Sequence, residues 1–178
     1  VCSMGMLSYL PSFLAPVSAV ELVHNDFETN YDGWYANADA ESMTAKAGVG
    51  HKDSRGMEVS GRTCASDGVS SEKGLSGGET NTYRIWVYSK TAEQFHVTLA
   101  CADLDTSQET ETELITKQVD AGTWTELQAS YQAPKNSGEF RLTITTDSTH
   151  DFYFDDVTVT AKKSSNTVSA ASAEKGLK

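Results

Sequence analysis

Between Thr82 and Ser89 the side chains alternate without a break. Tyr83, Ile85 and Val87 fall on one side of an extended backbone, and Arg84, Trp86 and Tyr88 fall on the other. A side-chain period of two belongs to a β-strand and not to a helix, so this stretch reads as a strand with one face in a core. Large residues on both faces leave the second free to line a groove. The same period runs from Val20 to Thr160. It predicts strands at Val20–His24, Asp26–Glu28, Met57–Arg62, Thr82–Ser89, Phe95–Cys101, Leu114–Val119, Thr123–Tyr131, Phe140–Thr146 and Phe152–Thr160. Turn residues such as Asp32-Gly33, Gly77-Gly78 and Ala121-Gly122 separate them. Strands in this number, with no convincing helix, predict an all-β chain folded as an antiparallel β-sandwich of the jelly-roll type.

The last strand carries the string DFYFDDV at residues 151–157. Phe152 and Phe154 share a parity that Val157 and Val159 do not, so the phase slips at Asp155-Asp156, as a β-bulge would make it do. Two carboxylates beside an aromatic strand must be solvated, paired or bound to a metal. Near the other end, Asn25-Asp26-Phe27-Glu28 leads through a turn to Gly33-Trp34. First and last strands lying side by side would bring Glu28 and Asp155 together.

A chain of 178 residues with a net charge of −11 is long enough for one domain plus tails. The acidity is dispersed and no basic patch is interleaved with aromatics, which argues against nucleic acid as a partner. Residues 1–19 are uncharged, apolar and end in Val17-Ser18-Ala19, the pattern of a secretory signal without its basic start. Pro11 and Pro16, and a length below the roughly 20 apolar residues of a span, argue against a membrane helix. The expected division is therefore an export signal at 1–19, a folded module at 20–161, and a polar linker at 162–178 leading into a further domain. Cys64 and Cys101 match no zinc spacing and could be a disulfide or two free thiols.

Taken in order, Asn25-Asp26-Phe27-Glu28, Gly33-Trp34, MEVSGRT at 57–63, Asp67-Gly68, GTWTELQASY at 122–131 and DFYFDDV resemble the family 22 carbohydrate-binding modules. That resemblance covers about residues 20–161. It implies a secreted, monomeric, non-catalytic jelly roll that binds xylan or a related β-glycan, attached to a catalytic domain in the same polypeptide. It also implies a structural calcium ion held by Glu28 and Asp155, with Asp156 as an alternative or additional ligand and carbonyls near Asp53 to Arg55 completing the shell. The residues that build the family's cleft are replaced. Its tryptophan falls on Ser66, its arginine near Asn37, one tyrosine near Thr112, and a further tyrosine and glutamate near Thr143 and Thr145. Sugar rings stack on flat aromatics, so any remaining cleft should use Trp86 and Tyr88, with Arg62 and Asp67 for hydroxyls. Trp86 and Tyr88 could equally pack beneath a loop, and Arg62 could pair with Glu58 or Asp67. Trp34 and Trp124, each beside a turn glycine, are expected to cap the core. A module stripped of its cleft could also serve only as a spacer.

Catalysis finds little support. The carboxylate pairs Asp103 with Asp105 and Glu109 with Glu111 read as part of a mobile polar loop. No Gly-x-Ser-x-Gly elbow is present, and the four histidines stand outside any motif.

Overall fold

The computed structural model describes residues 19–39 and 41–162. The segments read as export signal and linker lie outside these, apart from Ala19 and Lys162. Among the described residues, eleven strands form two antiparallel sheets. In chain order they are β1 (Ala19–Asn25), β2 (Tyr35–Ala36), β3 (Ser42–Lys46), β4 (Gly56–Ser60), β5 (Val69–Lys73) and β6 (Thr80–Tyr88). There follow β7 (Glu93–Asp103), β8 (Glu109–Val119), β9 (Thr125–Gln132), β10 (Ser137–Thr146) and β11 (Phe152–Lys162). One sheet runs β3-β4-β11-β6-β9, with β1 also paired to β11; the other runs β2-β5-β10-β7-β8. From β4 onward the chain crosses to the opposite sheet at nearly every step, and only β7–β8 remains a hairpin within one sheet. The result is the antiparallel sandwich that the alternation predicts.

The inner faces hold the core. Tyr83, Ile85 and Val87 of β6 are buried, as are Phe95, Val97 and Leu99 of β7, Phe140, Leu142 and Ile144 of β10, and Phe152 and Phe154 of β11. Edge-on aromatic contacts join the layers, Phe27 to Phe154 at 5.2 Å and Phe95 to Phe152 at 5.6 Å. Trp34 is in this core as expected, its indole N–H donating to Asn25 Oδ1 at 3.0 Å.

β1 pairs with β11 from Ala19–Lys162 to Asn25–Val157, so the first and last strands are neighbours. The register of β11 against β6 slips between Asp155 and Thr158, and Asp156 has φ +46°. This is the bulge signalled by the change of parity. Three expectations need correction, and one question left open is answered. Asp26–Glu28 is a turn and not a strand, because Phe27 sits in the left-handed region at φ +56°. Strands β2, β3 and β5 are additions to the expected set; Val69–Lys73 reads as polar, yet Ser70 and Ser71 are buried. Glu109 and Glu111 lie on β8, and the expected loop shrinks to a tight turn in which Asp103 accepts the N–H groups of Asp105 and Thr106. Cys64 is exposed and Cys101 buried, and both are free thiols.

Candidate functional site

Each sheet turns an outer face to solvent, and the two differ in chemistry. On the sheet containing β10, outward positions of β10 carry Arg141, Thr143 and Thr145. With Tyr35, Asn37, Ser66, Ser70, Thr98 and Glu111 they line a hollow of about 540 Å³. Four positions where the family's cleft residues are replaced, Asn37, Ser66, Thr143 and Thr145, therefore come together in one groove. Thr112 does not join them; its hydroxyl meets Tyr131, and Glu111 takes the place on the groove. The polar groups are ordered among themselves. Ser70 and Thr143 share a hydrogen bond of 2.7 Å, Arg141 holds Glu109 at 2.7 Å, and the exposed ring of Tyr35 is fixed by its hydroxyl donating to Glu72 at 2.8 Å. Beside the groove, His96 is clamped between Glu113 and Asp147. Burial pulls its pKa down, but the hydrogen bonds that its ring donates to the two carboxylates outweigh that and leave it raised.

On the other sheet, the outer face of β6 changes character along its length. Thr82 bonds Ser130 and Arg84 faces Glu126, whereas Trp86 and Tyr88 belong to an aromatic group. The imidazole of His51 lies flat on Trp86, with centroids 3.8 Å apart and planes 14° from parallel. Trp86 thus packs beneath the turn at residues 51–53. Tyr88 meets Trp124 and Tyr153, each at 5.6 Å. Trp124 is only half-buried on this face, so it does not cap the core as expected.

The turn that carries His51 also wraps Asp155. This carboxylate is fully buried, and its Oδ2 accepts the His51 N–H and the Ser54 hydroxyl, both at 2.9 Å. Its Oδ1 accepts the Asp156 N–H at 2.8 Å. Desolvation still prevails over these hydrogen bonds and pushes its pKa up to about 6. The cradle is tight, since a Cβ on Gly50 would come within 2.4 Å of Asp155 Oδ2. Glu28 reaches the same turn by accepting the Arg55 N–H at 3.1 Å, and Asp156 contacts His51 Nδ1 at 3.0 Å. The three carboxylates expected to hold a cation therefore all touch the loop from His51 to Arg55. Left-handed backbone at Phe27, Lys52, Asp53 and Asp156 clusters around it. Among the described residues no three His, Cys, Asp or Glu side chains form a metal cluster by themselves, so most oxygens for a hard cation would come from backbone.

Arg62 and Asp67 lie elsewhere and are engaged in holding a loop. The Arg62 guanidinium is buried, donates to the carbonyls of Ala65, Asp67 and His150 and to the Thr146 hydroxyl, and sits 5.1 Å from the Phe152 ring centre. Asp67 accepts the N–H groups of Thr63 and Cys64, which with the Cys64 thiol bring its pKa down to about 2. Neither is presented to solvent as a hydroxyl-binding pair, and the alternative of a surface ion pair for Arg62 is also excluded by its burial. Glu58 instead pairs with Lys46 and accepts the Tyr153 hydroxyl.

Ser148 and Glu93 both contact Nδ1 of His150, whereas a nucleophile relay needs them on opposite ring nitrogens.

Residues 21–154 match the family described as carbohydrate binding domain. The chain is 43% identical over 180 residues to endo-1,4-beta-xylanase Y of Acetivibrio thermocellus, covering 97% of this chain and 17% of that protein. It thus spans about a sixth of the curated relative that it matches. Among solved structures, it superposes with a TM-score of 0.76 and 43% identity on the N-terminal family 22 and family 10 modules of a Clostridium thermocellum endo-1,4-beta-D-xylanase, determined with xylohexaose. That match covers 79% of this chain and 28% of the other. A family 22 xylan-binding domain from Paenibacillus barcinonensis shares the fold at a TM-score of 0.71 and 23% identity, over 79% of this chain and 99% of that one. The alternating strands, the bulged aspartate pair and the match over residues 21–154 make this chain a member of the carbohydrate-binding domain family, a non-catalytic module related to family 22.

Proposed function

We propose that the module binds xylan or a related β-glycan along the groove on the sheet of β10, as part of a secreted protein whose catalytic domain lies in the same polypeptide. The observation that carries this reading is the groove itself. Nine side chains from β2, β5, β7, β8, β10 and adjoining loops converge on it, hydroxyls and amides dominate, and Tyr35 supplies one flat ring at its edge. Such a lining can recognise sugar hydroxyls with one stacking contact. Support comes from the 43% identity to a family 22 module studied with xylohexaose. Having a single aromatic ring, the groove should bind more weakly than one with several. That same feature favours the second reading, a spacer with little affinity for glycans.

A structural calcium ion belongs to this proposal. Asp155 lies buried in a glycine-lined cradle and has no Lys or Arg partner among the described residues. Glu28 and Asp156 reach the same loop, which is the oxygen-rich and acidic setting a hard cation requires. When bound, the ion would neutralise Asp155 and tie β11 to the 50–55 loop.

Affinity electrophoresis through xylan, mixed-linkage glucan and cellulose gels tests the function. Retardation in xylan that is lost in Tyr35→Ala is the expected result. Unchanged mobility in all three gels would favour the spacer.

A further inference from the structure

The aromatic group on the opposite sheet is unexplained by the groove. Tyr88 from β6, Trp124 from the turn before β9 and Tyr153 from β11 converge with Lys90 on a hollow of about 440 Å³. Gly48, Val49, Gly50 and Asp53 of the turn wrapping Asp155 line its other side. This volume is within the range of roughly 300–1,000 Å³ typical of small-molecule sites. A strand face that merely meets water has no need of three aromatics; the same face a few residues away carries Thr82 and Arg84 against Ser130 and Glu126. The lining combines flat rings with a few polar groups at the rim, Lys90 and Asp53, and backbone groups of the 48–50 segment. Flat rings accept the C–H faces of a pyranose, and the rim can bond its hydroxyls.

The backbone behind the hollow is pinned. Asp155 fixes the turn through His51 and Ser54, and His51 is itself clamped flat on Trp86, so the wall is set before a ligand arrives. Trp86 lies under His51 and serves as its support, which leaves Tyr88 and Trp124 as the stacking surfaces.

We infer that this hollow is a second saccharide site, on the sheet opposite the groove, which takes a ring or two at the end or side branch of a glycan. The xylan-binding groove accommodates a chain along its length; the hollow, bounded by the 48–53 turn and Trp124, holds a short ligand. The two sites share no residue, so each can fail without the other.

Titration of the uniformly ¹⁵N-labelled chain with xylobiose tests this. The Trp124 indole N–H resonance, assigned by its loss in Trp124→Phe, should shift saturably while that of buried Trp34 stays still. Trp124→Ala should weaken xylobiose binding about tenfold, as expected for a lost aromatic stack. It should leave retardation in xylan gels unchanged. Because the half-buried ring also packs on Tyr88 and His51, some fall in melting temperature accompanies its loss, and xylobiose binding in Trp124→Ala and Tyr35→Ala is read from the backbone amides of Gly48 and Gly50, which line the hollow. Trp124→Phe, which keeps a flat ring, should retain most of the affinity. The proposal is overturned if xylobiose moves no indole signal, or if Tyr35→Ala abolishes the response while Trp124→Ala does not. In that last case the groove reading stands alone. Loss of the xylobiose response in Trp124→Ala, with xylan retardation indifferent to Tyr35→Ala, would keep the hollow and remove the groove.

Discussion

Arg62, just past the end of β4, and Asp155, at the bulge within β11, are both buried charges, and the protein treats them in opposite ways. The guanidinium of Arg62 is surrounded by carbonyl oxygens, a hydroxyl and an aromatic face; desolvation lowers its pKa, but Glu41, Glu93 and Asp67 lie close enough to favour its charge. Asp155 accepts three hydrogen bonds but has no cationic side chain among the described residues to answer its charge, and desolvation raises its pKa. One loop is completed by the chain's own groups. The other is an anionic cradle in which hydrogen bonds alone meet the charge. The difference separates a charge that the fold answers from one that, on the calcium proposal, an ion would answer.

Removing Arg62 should do the most damage. Arg62→Met leaves five acceptors without their donor, and the loss should be about 3–5 kcal/mol in urea unfolding, insensitive to added calcium. A loss below about 1 kcal/mol would break the contrast by showing that Arg62 is as dispensable as an exposed charge. The next effect belongs to Asp155. Calcium at about 100 times its Kd should stabilise the protein by about 2.7 kcal/mol, seen as a higher melting temperature that EDTA reverses. Asp155→Asn should abolish that response and Glu28→Gln should weaken it. An identical melting curve with and without EDTA would remove calcium from the account.

Lys73 supplies a smaller effect and an intermediate case. Its ammonium is buried beside Trp34, donates to Asn25 Oδ1 at 2.7 Å, and is brought down by desolvation to about 8. Since the unfolded chain holds this proton up to its ordinary value of 10.5, it binds more protons than the folded one above pH 8, and stability should rise with pH across that window. The gain between pH 8 and 10 should be on the order of 2 kcal/mol and should vanish in Lys73→Met. A flat profile in the wild type would mean that Asn25 and the Asp32 carbonyl solvate the ammonium as fully as water does.

Much of this architecture is legible in the residues, because the physics that decides it is local. Alternation identifies a half-buried strand wherever large apolar side chains mark the inner face, which is why β6, β7, β10 and β11 are readable. Strands β3 and β5 escape because Ser42–Lys46 turns only the half-buried Met43 and Ala45 toward the core, and Val69–Lys73 buries serines, so neither carries that mark. The bulge at Asp155-Asp156 can be read from a change of parity, and the approach of Glu28 to the same loop from the order of motifs. The candidate sites are harder to see. Arg62 looks like a surface cation because no pattern in sequence shows that Thr146 and His150 will close over it. Trp124 looks like a core residue, for a large aromatic beside a glycine gives no hint of which sheet face it will join. Outward threonines on β10 resemble those of any solvated strand, so only the assembled sheet shows that they face a groove with Tyr35 and Glu111.

The pairing of Ala19 with Lys162 puts the entrance and the exit of the domain at one corner, on adjacent strands running in opposite directions. Tension applied across these two ends therefore opens the ladder like a zipper, one rung at a time, instead of shearing it all at once. The tear travels along β11 from Lys162 toward Val157 and arrives next at the bulge that anchors the 50–55 loop. Whatever occupies that cradle would act as a mechanical stop.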